Sequence, residues 1–172
     1  MPASPHTPQE ILTKAYDDYA DAIFRHCYFR VFNRERGKEL MQETFMRAWE
    51  YLLSERDILN IRAFLYRVAN NLIIDESRKK REMSLDALQE AGFDPPGKDE
   101  VRMMKSRLEE QRILETLKKI DSSYRETFVM RHIDGLSPAE IAEIIGESTN
   151  TVSVRLHRAI KQLQVLLKKN AA

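Results

Sequence analysis

The sequence predicts an all-α chain of two small helical domains joined by a flexible linker. Three observations predict it. The 172 residues hold only five glycines, and Leu, Glu, Lys, Arg and Ala abound with little β-branched alternation. Apolar residues recur at helical spacing over most of the chain. The strongest breakers fall together in one stretch, "AGFDPPGKDE", where that spacing fails. We therefore expect domains over 1–83 and 105–172, with the linker over 84–104.

The elements follow in order. Thr7-Pro8-Gln9-Glu10 starts the first helix, with Thr7 as N-cap, proline at the first helical position and Glu10 closing a capping box. Leu12, Ala15, Tyr16, Tyr19, Ile23, Cys27 and Val31 then share one face. Asn33 caps a second helix with Met41, Phe45, Ala48, Trp49 and Leu52 inward. Residues 54–60, "SERDILN", form a polar connection, and Asn60 caps a third helix with Ile61, Phe64, Leu65, Val68 and Leu72 inward. That helix ends in the basic run Arg78-Lys79-Lys80-Arg81. Helical pattern resumes near Val101 and runs to Ile120. Ser123-Tyr124-Arg125-Glu126 reads as a capping box for a helix packed through Phe128, Val129 and His132, which Gly135 ends. Ser137-Pro138-Ala139-Glu140 starts the next helix with cap, proline and acid in place.

A formal net charge of +1 hides a polar distribution. Residues 148–172 hold Arg155, Arg158, Lys161, Lys168 and Lys169 and no acid, whereas residues 83–104 hold five acids against two bases. Local patches of this kind, rather than the total, govern binding to nucleic acid. The single cysteine, Cys27, excludes an internal disulfide and fits a reducing compartment. No apolar run reaches the length of a membrane span, and "MPASPHTPQE" lacks the pattern of a signal peptide. These features lead us to expect a cytoplasmic protein with no membrane insertion.

The last two predicted helices form a helix-turn-helix. Ala142 is small enough for the crossing of the two helices, and Gly146 tolerates the left-handed backbone of the tight turn. Val152 and Leu156 seat the second helix, while Ser148 caps it and leaves backbone N–H groups that favour a phosphate. Its exposed candidates are Ser148, Thr149, Asn150, Thr151, Ser153, Arg155, His157 and Arg158, whose hydroxyls, amides and guanidinium groups suit phosphates or base edges. With two arginines and no evident dimer helix, such a reader needs something larger to hold it on DNA.

Three stretches carry a family resemblance: "KELMQETFMRAWEYL" (38–52), "IRAFLYRVANNLIIDESRKKR" (61–81) and "YRETFVMRHIDGLSPAEIAEIIGESTNTVSVRLHRAIKQL" (124–163). Together, and in this order, they resemble bacterial RNA polymerase sigma factors of the sigma-70 family, in the short two-domain form of the extracytoplasmic-function (ECF) group. The resemblance implies the following roles. The second helix docks on core RNA polymerase through Glu39, Gln42, Glu43 and Arg47. The third helix and the loop before it melt and read the minus-10 promoter element through Arg56, Asn60, Asn71, Asp75, Arg78, Lys79 and Lys80, with Arg81 as a further phosphate contact. Asn71 and Asp75, one turn apart, suit base edges bared by unstacking. The helix-turn-helix reads the minus-35 duplex of promoter DNA. An anti-sigma factor is a further implied partner. The chain departs from the family pattern at Glu39 in place of aspartate, at Asp121-Ser122 in place of proline, and at Glu147, Asn150 and Ser153 in the reader.

Two other readings remain at this level: a stand-alone helix-turn-helix regulator of duplex operators, and a protein-interaction adaptor. No nucleophile–base–orienter set or glycine-rich phosphate loop stands in the sequence, so we expect no enzyme, catalytic residue or cofactor. His26 and Cys27 lack a second ligand pair at metal spacing, Cys27 falls on the apolar face, and adjacent Asp75 and Glu76 point apart, so no metal site is expected. Tyr66 and Phe64 have spacing better suited to a core than to base stacking.

Overall fold

The computed structural model describes residues 6–83 and 104–171. Its elements are α1 (Pro8–Val31), α2 (Arg34–Leu53), α3 (Ile61–Met83), α4 (Met104–Lys118), α5 (Ser122–Phe128), a π-helical turn (Val129–Ile133), α6 (Pro138–Ile145) and α7 (Thr149–Ala171). Among the described residues there is no strand. The chain divides into two compact units, 1–93 and 94–172, so the break falls between α3 and α4. The expected linker, apart from Met104 at the start of α4, lies outside the described residues.

The first unit is a three-helix bundle in which each helix packs on the other two. The expected capping box opens α1: Thr7 Oγ1 accepts from the Glu10 amide at 3.2 Å and Glu10 accepts from the Thr7 amide at 2.9 Å. A two-residue link turns the chain into α2. Phe32 adopts a left-handed conformation and donates its amide to Tyr28, while the Asn33 side chain accepts from the Arg36 amide. Gly37 sits where α1 and α2 approach closely, since a Cβ there would lie 3.4 Å from the Tyr28 backbone. The core gathers Ile23, Cys27, Leu40, Phe45, Ala48, Leu65, Tyr66, Ala69 and Ile73, all nearly or wholly buried. Two buried polar side chains are satisfied in different ways: Thr44 donates to the Leu40 carbonyl of its own helix, and Asn70 accepts from Arg30 across 40 positions.

Tyr16 departs from its expected inward place and is 45% exposed. It lies edge-on to Phe45 at 5.0 Å, near the start of α1, where it covers the core from one side only.

The second unit packs α4, α5 and α6 against α7 around Leu114, Leu117, Val129, Met130, Leu136, Ile141, Val152 and Ala159. The capping box expected at Ser123 does not form, because α5 begins two residues earlier, after Asp121, with no side-chain cap. The Asp121 carbonyl instead accepts the Arg125 amide at 2.8 Å and closes the first turn there. The Arg125 guanidinium reaches back to bond the oxygens of Leu117 and Lys118, at the end of α4, and of Ile120, just after it, at 2.7–3.1 Å. His132 also corrects an expectation, since it is exposed rather than packed inward, with its ring 4.7 Å from that of Phe128. Partial desolvation and the neighbouring Arg131 charge hold its imidazole below the ordinary histidine range. Gly135, at φ +71°, ends this helical stretch as expected, although its last turn is π-helical.

Candidate nucleic-acid and protein interface

Three surfaces collect the residues singled out in the sequence. On α2, Glu39, Gln42 and Arg47 are exposed and Glu43 is half-buried, and their spacing places them along one side of the helix. Glu39 accepts from Arg36 at 2.7 Å and Glu43 from Arg47 at 3.2 Å, so each carboxylate on this face is paired with an arginine. Gln42 also borders an apolar groove of about 560 Å³ between α1 and α2, lined by Leu12, Tyr16, Phe45, Met46 and Trp49. Met46, 63% exposed, is a feature the sequence reading missed. The available signal was its position outside the stripe of Met41, Phe45, Ala48 and Leu52.

The second surface is the 54–60 loop with the outer side of α3. Glu55 adopts a left-handed backbone, Arg56 lies 5.6 Å from the Tyr51 ring centroid, and Leu59 is fully exposed. Asn60 is committed in part: its side-chain oxygen accepts from the Ala63 amide at 3.1 Å and so caps α3, as expected. Asn71 and Asp75 are exposed one turn apart. Arg78, Lys79, Lys80 and Arg81 are likewise exposed at the end of the same helix. Tyr66 is 1% exposed and Phe64 is half-buried against Tyr51, which agrees with their reading as packing residues.

Glu76, between these two groups, faces back into the bundle. Its carboxylate takes both Nε and Nη2 of Arg36, at 2.8 and 2.5 Å. The bond to Arg36 outweighs partial burial and holds the Glu76 carboxyl below its ordinary range. Asp75 and Glu76 therefore point apart, and among the described residues no cluster of three His, Cys, Asp or Glu side chains could hold a metal.

The third surface is built by the helix-turn-helix. Ser137 and Glu140 exchange backbone bonds at 3.2 and 2.7 Å and start α6, Ala142 is buried, and Gly146 turns the chain at φ +71°. The Glu147 amide closes the turn on the Ala142 carbonyl. Ser148 caps α7 through the Thr151 amide at 3.1 Å, while Val152, Leu156 and Ala159 seat the helix. Thr149, Asn150, Ser153 and His157 are exposed at i, i+3, i+4 spacing, and thus share the outward side. The hydroxyls of Ser148 and Thr151 lie 2.9 Å apart and are engaged with each other. Arg155 donates to Glu147 and Arg158 to the Tyr124 hydroxyl, each at 3.4 Å. Neither contact was foreseen, because Tyr124 stands 34 positions before Arg158.

Known proteins resemble the chain along nearly its whole length. Residues 15–83 match the Sigma-70 region 2 family and residues 110–163 match Sigma-70, region 4. The ECF RNA polymerase sigma factor SigW of Bacillus subtilis is 32% identical, over 93% of this chain and 90% of its own. The ECF RNA polymerase sigma factor SigL of Mycobacterium tuberculosis is 28% identical, over 92% and 90%. Among solved structures, CnrH in complex with the cytosolic domain of CnrY shares 26% identity over 94% of this chain and 90% of that one, at a TM-score of 0.70. RpoE from Bartonella quintana, bound to the anti-sigma factor NepR, shares the fold at a TM-score of 0.71 and 21% identity, over 92% and 97%. With both family regions present in order, and identity to SigW sustained across both units, the chain belongs to the ECF group of sigma-70 RNA polymerase sigma factors.

Proposed function

We propose that the chain is an alternative sigma factor, which binds core RNA polymerase, recognises minus-35 and minus-10 promoter elements and promotes melting for transcription initiation. The observation that carries this reading is the presence of both sigma regions, in order, on two separate compact units. Residues 1–83 bind polymerase and the minus-10 strand, 84–104 connect, and 105–172 bind the minus-35 duplex. Its place of action is the cytoplasm, beside polymerase and DNA, and its work is binding rather than catalysis of its own.

The residue roles are those that the family resemblance implies, and charge and exposure support them. Glu39, Gln42, Glu43 and Arg47 present a polar, ion-paired face to polymerase, and the adjoining apolar groove supplies area that can be desolvated. Arg56, the Asn60 side-chain amide, Asn71 and Asp75 face unstacked bases of the minus-10 strand, while Arg78, Lys79 and Lys80 hold its phosphates. Thr149, Asn150, Ser153, Arg155, His157 and Arg158 enter the minus-35 major groove, with the capped start of α7 at Ser148 and Thr151 against a phosphate. Two structurally similar chains are described as complexes with CnrY and with the anti-sigma factor NepR. We infer an anti-sigma partner for this chain on the same footing.

The test is reconstitution with core polymerase. Replacing Gln42→Ala together with Glu43→Ala is expected to weaken core binding by about tenfold or more, with the helical content unchanged. Unchanged core affinity would overturn the α2 assignment.

A further inference from the structure

Both arginines of the candidate reading helix are held by side chains from other elements. Arg155 Nη2 donates to a Glu147 carboxylate oxygen in the turn, and Arg158 Nη1 donates to the Tyr124 hydroxyl on α5. We propose that Tyr124 and Glu147 are positioning residues that set minus-35 base preference by orienting Arg158 and Arg155; this rests on the function proposed above.

The physical argument begins with entropy. A free arginine side chain has many rotamers, and a bidentate contact to guanine demands one plane and one direction for its fork. Holding one terminal nitrogen beforehand reduces the freedom lost on binding. At 3.4 Å both contacts are at the long end of hydrogen bonding, so they orient the group weakly and leave other donors of each fork for a base.

The two partners differ in charge, and this separates their effects. The phenol is neutral, so its loss disturbs orientation without changing attraction to phosphates. The carboxylate of Glu147 is partly exposed, repels any duplex and offsets the Arg155 charge. A correct base edge repays that offset with a directed contact, whereas a random duplex does not. Glu147 thereby acts as a filter, lowering binding to all DNA while favouring the sites that Arg155 can read.

The experiment uses holoenzyme reconstituted from the full chain and core polymerase, with a promoter recovered by the wild type whose minus-35 block is randomised again. Bound pools are sequenced for wild type, Arg155→Ala, Arg158→Ala, Tyr124→Phe, Glu147→Gln and the Tyr124→Phe/Arg158→Ala double variant. Tyr124→Phe should lose about 3- to 10-fold discrimination at the base pairs that Arg158→Ala relaxes, with none at others. In the double variant it should add nothing to Arg158→Ala. Glu147→Gln should relax the Arg155 positions and bind random duplex several-fold more tightly. Thermal midpoints of the variants check that the fold persists. If the arginine variants relax the motif while Tyr124→Phe and Glu147→Gln leave it intact, the positioning proposal fails alone. If wild type and arginine variants share no minus-35 preference, the minus-35 reading fails and takes the proposal with it.

Discussion

Gly146 links residue conformation to the reading surface. Its φ of +71° lies where a side chain strains the backbone, yet nothing within 4 Å would meet an added Cβ. The cost of substitution is therefore conformational rather than steric. Gly146→Ala should destabilise the second unit by about 1–2 kcal/mol, read as a lower urea midpoint, whereas Gly146→Asn should lose less because asparagine tolerates this region. An equal loss for both variants would point to a packing role that the open space denies. At the same scale, capping divides the candidate DNA residues into two kinds. Asn60 and Ser148 both commit a side-chain oxygen to a helix start. Thr149, Asn150, Ser153, Asn71 and Asp75 instead stand exposed along the outer sides of their helices.

At the scale of elements, the Arg36–Glu76 fork ties the start of α2 to the last third of α3. It joins the helix assigned to polymerase with the helix assigned to the minus-10 strand, one residue from Asp75 and two from Arg78. Glu76 has a folded pKa lowered from an unfolded value near 4.5. The stability it contributes is therefore present above about that pH and is lost as pH falls towards the lowered folded value. Glu76→Gln should cost about 1–3 kcal/mol at pH 7. The gap between variant and wild type should close progressively below pH 4.5 in urea unfolding followed across pH. A gap that stayed constant with pH would mean that the ion pair adds nothing beyond its packing. The helices themselves follow from local bonds. Capping boxes at Thr7 and Ser137 are settled within four residues and were readable from the sequence. The same pattern at Ser123 misled, because the Asp121 carbonyl takes the Arg125 amide and opens α5 two residues earlier.

For the whole molecule, a net charge of +1 gives no general pull towards DNA. The basic groups that matter lie on separate units, at the exposed end of α3 and along α7. Affinity should then depend on salt through these patches. Replacing Lys79 and Lys80 by alanine should lower the slope of log promoter affinity against log salt by about 0.7–0.9 for each phosphate left without its lysine. Titration of holoenzyme on one promoter over a salt series reads this, and the preferred minus-10 sequence should stay the same. An unchanged slope would place these lysines off the DNA. No helix among the described residues is long and apolar enough to cross a membrane.

From the sequence alone came the all-α class, most of the helix starts and the reader's turn, and, through the resemblance of three motifs, the family. All but the family rest on periodicity and on bonds between residues three or four apart, which a linear pattern displays directly. The candidate surfaces were legible as residue sets, because exposed polar positions at helical spacing share a side. Tertiary structure alone decided which members of those sets are engaged elsewhere. Glu76 meets Arg36 across 40 positions, Tyr124 meets Arg158 across 34, and Gln42 borders a groove completed by α1. Such pairings form when separate helices share a core, and their residues carry no periodic mark by which a linear reading could match them.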